Sequence, residues 1–80
     1  YKRGIFEDYL KYTGQCIAYA TENGLQEYGK MYSLALIYFP DSLQEELITI
    51  NSSIRDMKWD IANSQLNELA PKIRAILQNM

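Results

Sequence analysis

The feature that most constrains this chain is an apolar run from Met31 to Phe39, which Pro40 closes. Eight of its nine residues are apolar or aromatic. At about 100° per residue, the apolar residues between Leu25 and Phe39 cover a helical arc of roughly 200°, whereas a surface helix needs a stripe of only about 100°. The run therefore predicts a helix over 25–39 with neighbours on two sides, the central core helix of the fold. The narrow remaining arc holds Gln26, Gly29, Lys30, Ser33 and Ile37.

The length of the chain and its few helix-breaking residues predict a single all-α domain. The chain has 80 residues, a hydrophobic content of 48%, two prolines and four glycines. A chain of this length forms one core at most, and a low content of Pro and Gly favours helices over strands. We therefore expect one helical-bundle domain over residues 1–80. Because the first residue is Tyr1 rather than Met, we also expect this domain to be a fragment of a longer chain.

A first helix is predicted ahead of the apolar run, over residues 5–21. Its end is predicted from Asn23 and Gly24, because both residue types accept the left-handed conformation that terminates helices. An apolar line with helical spacing runs along it and predicts the side that faces the core. This line consists of Ile5, Tyr9, Cys16 and Ala20.

A third helix is predicted over residues 43–56. Ser42 and Glu45 have the spacing of a capping box, and Asp41 with Gln44 gives a second register for the same motif. The apolar residues are spaced four, three, four and three positions apart. This spacing gives a narrow apolar stripe of about 80° on the helix, which resembles a coiled-coil seam. These residues are Leu43, Leu47, Ile50, Ile54 and Met57.

A fourth helix is predicted from Trp59 towards Met80, after a short connection at residues 56–58. Pro71 interrupts this segment, but the spacing of the apolar residues continues through it. A proline removes one backbone hydrogen bond and bends a helix without necessarily ending it, so we expect one kinked helix rather than two. Four helices joined by short loops predict an up-down-up-down bundle.

Several common catalytic and ligand-binding motifs are missing from this chain. There is no histidine, which excludes Ser-His-Asp and Cys-His catalysis and nearly every zinc pattern. No glycine-rich phosphate loop is present. Cys16 lies on the apolar line of the first helix and is predicted to be a buried structural thiol rather than a nucleophile. Glu45 and Glu46 are adjacent and do not face each other on a helix. We therefore expect a non-enzymatic protein with no cofactor and no metal.

The charge pattern and the cysteine content limit the partner and the compartment. The net charge is −2, and the acids and bases are interspersed. This pattern lacks the basic stripe that a nucleic-acid phosphate backbone requires, so we expect no nucleic-acid binding. A lone cysteine cannot form an internal disulfide, which favours a reducing compartment and predicts a cytoplasmic protein. The chain has no apolar run long enough to span a membrane. The sequence leaves open whether a membrane anchor lies upstream of Tyr1.

The seven tyrosines are the most unusual part of the composition, and they allow two interpretations. They can lie at the margin of the core with buried rings and hydrated hydroxyls, or some can anchor a partner, since tyrosine is enriched at interfaces. The apolar arcs of the first two helices, roughly 180° and 200°, exceed what two neighbours readily bury. The surplus predicts an interaction surface at the edges of these arcs. This predicted surface consists of Tyr12, Tyr19, Met31, Leu34 and Tyr38.

The function predicted from these patterns is a non-catalytic protein-interaction or oligomerisation module. The partner is another protein or a second copy of the chain. A symmetric homodimer is the simplest arrangement, because one patch serves both copies. The alternative prediction is a small-molecule sensor that holds its ligand in an apolar pocket between the first two helices, lined by tyrosine and methionine.

Overall fold

A computed structural model describes residues 2–80 and folds them into four helices joined by connections of two or three residues. Tyr1, the first residue of the predicted domain, lies outside the described residues. The predicted all-α, four-helix fold is confirmed. The helices are α1 (Lys2–Tyr19), α2 (Glu22–Tyr38), α3 (Asp41–Arg55) and α4 (Trp59–Gln78).

The boundary between α1 and α2 differs from the prediction. α1 ends at Tyr19, and Ala20 adopts the left-handed conformation, with a φ of 51°. The Thr21 hydroxyl accepts the backbone N–H of Gly24 at 3.0 Å and caps α2. A Cβ at Gly24 would lie only 2.9 Å from that hydroxyl oxygen, so glycine permits the close cap. Asn23 and Gly24 therefore belong to the first turn of α2 rather than to the end of α1, because the threonine already satisfies the helix N-terminus.

The start of α3 also differs from the prediction. α3 begins at Asp41, its N-cap residue is Pro40, and no side chain caps it. The capping boxes predicted at Ser42 and Asp41 are therefore wrong. Gln44, the predicted partner of Asp41, instead donates its side-chain amide to two carbonyls at the end of α2, including that of Phe39 at 3.0 Å. The last carbonyls of a helix have no partner within it, so Gln44 caps the C-terminus of α2.

Contacts at both ends of α1 and α2 show that these helices are antiparallel. Phe39, directly after α2, stacks on Phe6 near the start of α1, with ring centroids 4.4 Å apart. At the other end, a Cβ on Gly24 would lie 3.7 Å from the Cα of Cys16. The end of each helix therefore lies beside the start of the other.

The remaining helices continue the same alternation. Tyr28, early in α2, donates its hydroxyl hydrogen to Asn51, late in α3, at 2.9 Å. Ser53, late in α3, donates to Gln65, early in α4, at 2.8 Å. α4 packs in turn on α1, which closes a ring of four helices. This is the predicted up-down-up-down order.

The four helices contribute unequally to the core. α1 and α3 each bury five residues and α4 buries four, but α2 buries only Tyr28 and Ala35. The prediction that α2 is the central core helix is therefore wrong. Each helix of the ring packs on two neighbours, so none is surrounded, and one side of each helix faces solvent.

Most individual core predictions are confirmed, and the exceptions lie at helix ends. Cys16 is fully buried, as are the predicted apolar residues of α3 from Leu43 to Ile54. Ala20 was predicted on the core-facing line of the first helix but is exposed. Met57 is also exposed, because the α3–α4 turn places it in the left-handed conformation, with a φ of 57°, and ends the helical spacing.

The path of α4 through Pro71 generates a stability prediction. α4 is one helix, and Pro71 lies inside it on the exposed side, so Pro71→Ala restores a backbone N–H without disturbing the core. We expect the free energy of unfolding to rise by about 1–3 kcal/mol, measured by urea denaturation. The matched control is Ala75→Pro, on the same exposed side, which should lower stability by a similar amount. A loss of stability in Pro71→Ala would mean that the proline starts a separate helix, where its fixed φ helps.

Candidate interaction surface

The side of α2 that faces the core is a narrow line. Tyr28, Ala35 and Phe39 are its buried residues, and at about 100° per residue they fall within an arc of about 40°. The apolar residues of the segment cover an arc several times wider than that. The rest of the apolar surface of α2 therefore lies beside this line or faces outward.

Tyr28 holds α2 in this orientation through its contacts with α3. Its hydroxyl donates to Asn51, its ring stacks on Tyr32 with centroids 5.9 Å apart, and the Arg55 guanidinium lies 5.7 Å from its ring centroid. Burial raises the pKa of Tyr28, and the positive charge of Arg55 partly opposes that rise. The neutral phenol therefore joins α2 to α3, and rotation of α2 about its axis would break its contacts with Asn51 and Arg55. Tyr32 lies on α2 itself and would turn with it.

The outward apolar residues of α2 form a continuous strip, which we call the α2 face: Met31, Leu34, Ile37 and Tyr38. These positions are three or four residues apart, so they are neighbours on the helix surface, and they span an arc of about 120°. Met31, Leu34 and Tyr38 are half-buried against the core, whereas Ile37 is 70% exposed. Three residues of the strip therefore contact the core, and Ile37 projects into solvent.

The structure places the five predicted surface residues on two adjacent helices. Met31, Leu34 and Tyr38 lie together on the α2 face. Tyr12 and Tyr19 lie seven residues apart on α1, which packs against α2. Tyr19 is 74% exposed, whereas Tyr12 is half-buried and has the Lys11 ammonium 5.2 Å from its ring centroid.

Ile37 is the residue that sequence reasoning missed. The helical arc assigned it to the narrow polar remainder of α2, together with Lys30 and Ser33. An isoleucine among polar residues is itself a signal of a second, outward apolar surface, and this signal was available in the sequence. Leu36 on α2 and Ile48 on α3 are also exposed, but they lie outside the α2 face.

The α2 face carries one acid and one base. Glu22, Glu27 and Lys30 are the charged residues of α2. Glu27 and Lys30 fall inside the arc of the α2 face, and the Lys30 ammonium lies 3.3 Å from a carboxylate oxygen of Glu27. An exposed pair at this spacing contributes only about 0.3–0.5 kcal/mol to stability, so both charges can engage another partner at little cost.

A second group of buried polar side chains lies on the core side of α1. Tyr9, Thr13 and Cys16 are fully buried. The hydroxyls of Tyr9 and Thr13 have no hydrogen bond of normal geometry within residues 2–80, although the nearby Thr13 oxygen offsets part of the rise that burial causes in the pKa of Tyr9. Burial also raises the pKa of the Cys16 thiol. A protonated, enclosed thiol is a poor nucleophile, which agrees with its predicted structural role.

Two surface cavities among residues 2–80 lie away from α1 and α2. One, of about 420 Å³, lies between α3 and α4 and is lined largely by charged and polar residues, and another, of about 390 Å³, lies at the α3–α4 turn. Neither includes a residue of the first two helices, where the alternative prediction places an apolar ligand pocket. The larger cavity is lined by Ser42, Glu45, Glu46, Thr49, Ile50, Gln65, Glu68 and Lys72.

Across residues 2–80, no three side chains of the metal-binding types come together in a way that could hold a metal ion. No helix among the described residues combines the length and the hydropathy needed to cross a membrane. No family model, curated protein or solved structure matches this chain.

The buried phenols and thiol generate a prediction about alkaline pH. Because burial raises the pKa values of Tyr9, Tyr28 and Cys16, the folded chain holds these protons more tightly than the unfolded chain. The contribution of these three groups to the free energy of unfolding is therefore constant at neutral pH. It is lost as pH rises above the ordinary thiol and phenol pKa values of 9.0 and 10.0. We expect stability to fall by up to about 1.4 kcal/mol per pH unit for each group that must ionise, measured by urea denaturation across this range.

Two phenylalanine variants distinguish the ionisation of buried groups from other effects of alkaline pH on stability. Tyr9→Phe removes one buried phenol and should make the loss of stability with pH less steep. Tyr19→Phe removes an exposed phenol and should leave the slope unchanged. Equal slopes in the wild type and in Tyr9→Phe would show that Tyr9 ionises as easily in the folded chain as in the unfolded one.

Proposed function

We propose that this chain is a non-catalytic helical interaction module that self-associates through the α2 face. One observation carries the proposal: α2 is the most hydrophobic of the four helices and buries the fewest residues. In a helix whose only role is to complete a bundle, the buried stripe accounts for the apolar residues. The apolar surplus of α2 instead lies on its outward side.

The location of the apolar surface matters more here than its total extent. The chain exposes 4951 Å², close to the roughly 5,000 Å² expected for a compact monomer of its mass. The bundle is therefore well closed, and the α2 face is a local feature of a compact molecule. Full burial of an isoleucine side chain stabilises by about 1.5–3 kcal/mol, so covering Ile37 and its neighbours on two copies would favour association.

A second copy of the chain is the occupant that best fits this face. One patch serves both members of a symmetric pair, and a face with one acid and one base offers no strong attraction to a highly charged partner. Tyr12 and Tyr19 lie on α1, which packs against α2, and tyrosine is favoured at interfaces. We place the module in a reducing, cytoplasmic setting, which suits its lone buried cysteine.

Sedimentation equilibrium of the wild type and two glutamate variants tests the proposal. We expect the apparent mass of the wild type to rise with concentration towards that of a dimer. Ile37→Glu places a charge on the most exposed residue of the α2 face and should weaken association at least tenfold, since a buried unpaired charge costs several kcal/mol. Far-ultraviolet circular dichroism shows whether each variant keeps its helices.

The matched control is Ile48→Glu. Ile48 is an exposed isoleucine of α3 outside the α2 face, and its substitution should leave association unchanged. A wild type that stays monomeric at every concentration would contradict the proposal. Equal weakening by Ile37→Glu and Ile48→Glu would place the interface elsewhere.

A further inference from the structure

From the placement of the apolar residues on α2, we infer that the two copies are related by a two-fold axis at Leu34, so that Met31 of each copy packs on Tyr38 of the other. This inference rests on the self-association proposed above and adds the contacts that the two copies make. It follows from the positions of the α2 residues around the helix and along it.

The residues of the α2 face lie on two edges, one on each side of Leu34. At about 100° per residue, Met31 and Tyr38 lie about 60° and 40° from Leu34 on one edge. On the other edge, Ile37 lies about 60° from Leu34, and Lys30 lies beside it at about 40°. Each edge therefore has one residue before Leu34 along the chain and one after it.

The two edges have different surroundings. Gly24 lies on the Met31 edge, about 20° from Met31 around the helix, and a Cβ at Gly24 would lie 3.7 Å from the Cα of Cys16. This edge therefore adjoins α1, which agrees with the half-buried state of Met31. The other edge is open, because Ile37 is 70% exposed and the side chain of Lys30 is 68% exposed.

An antiparallel two-fold axis at Leu34 places each edge beside the same edge of the other copy. At a rise of about 1.5 Å per residue, Met31 lies about 4.5 Å before Leu34 and Tyr38 lies about 6 Å after it. Because the second helix is reversed, Met31 of one copy comes within about 1.5 Å, along the axis, of Tyr38 of the other. Methionine sulfur packs favourably against aromatic rings, and the symmetry forms this contact twice.

On the open edge, the same two-fold axis places Lys30 beside Ile37 of the other copy. The positions of these two residues along the axis also differ by about 1.5 Å. The aliphatic part of a lysine can cover an apolar side chain while its ammonium stays in water. Together with Leu34, which meets its own counterpart, the two edges cover the whole α2 face of both copies.

The charge of Glu27 favours this order over a parallel one. Glu27 lies about 20° from Leu34 around the helix and about 10.5 Å before it along the axis. In a parallel pair it would lie beside Glu27 of the other copy, and like charges across an interface oppose association. In the antiparallel pair it lies about 4.5 Å beyond Tyr38, the last residue of α2 in the other copy. The antiparallel order therefore leaves Glu27 outside the contact between the two α2 helices.

Distances between spin labels test the orientation of the two copies. Glu22 and Ser33 are exposed residues of α2, so Glu22→Cys and Ser33→Cys can each carry a nitroxide, while burial protects Cys16 from labelling. By pulsed electron paramagnetic resonance, the two labels at position 22 should be about 36 Å apart along the axis in the antiparallel dimer and level with each other in a parallel one. Ser33, next to Leu34, is the matched control and should give a short distance in either order.

Disulfide trapping tests the pairing of Met31 with Tyr38. An equimolar mixture of Met31→Cys and Tyr38→Cys, oxidised at a concentration where the wild type is dimeric, should form a mixed disulfide, because the antiparallel order brings the Cα atoms within the bridging range of about 4.4–6.8 Å. Neither variant should cross-link to itself, because the two copies of each position lie about 9 Å or more apart along the axis. The control mixture of Ile48→Cys, at an exposed position of α3, with Tyr38→Cys should not cross-link.

Lys30→Cys with Ile37→Cys gives the same test on the open edge, at exposed positions that leave the core intact. A dimer whose labels at position 22 lie close together would overturn the antiparallel arrangement and leave the self-association standing. A dimer with the long distance in which neither pair of variants forms a mixed disulfide would overturn the pairing about Leu34. A protein that stays monomeric at every concentration would overturn both proposals together.

Discussion

The packing of α2 against its two neighbours depends on the aromatic residues at its two ends. Phe39 stacks on Phe6 at 4.4 Å and meets the edge of Tyr9 at 5.3 Å, which joins the end of α2 to α1. Tyr28 joins the start of α2 to α3 through Asn51. Two anchors eleven residues apart leave α2 no freedom to rotate about its axis. The outward direction of Leu34 and Ile37 follows from them, so the core of the bundle determines which surface is left for a partner.

The sequence predicted the number, type and order of the helices, because periodic apolar spacing and the breaks predicted near residues 23, 40 and 57 are local signals. It also predicted that α4 continues through Pro71. It did not predict the rotation of α2. An apolar arc of roughly 200° says how much surface is apolar but not which part faces the core, and that choice depends on contacts such as the one between Tyr28 and Asn51, 23 residues apart. The error at Gln44 has a related origin, because its side chain binds carbonyls of the preceding helix. The error at Gly24 is local, because Thr21, three residues earlier, caps α2.

The core of this small bundle contains several polar side chains. Tyr9, Thr13 and Tyr28 are fully buried, and of their hydroxyls only that of Tyr28 has a hydrogen-bond partner of normal geometry within residues 2–80. A buried hydroxyl without a partner costs about 1–3 kcal/mol, which is a large share of the stability that a chain of this length can reach.

We propose that the α2 face is open in one copy and covered by another. Methyl resonances of selectively labelled isoleucine and leucine, followed by nuclear magnetic resonance as the protein is concentrated, test this most directly. We expect the signals of Leu34 and Ile37 to shift along one saturable curve with a common Kd. The signals of Ile48 and Ile61, which are exposed residues outside the α2 face, should not shift. Unchanged signals at Leu34 and Ile37, or equal shifts at all four residues, would contradict it.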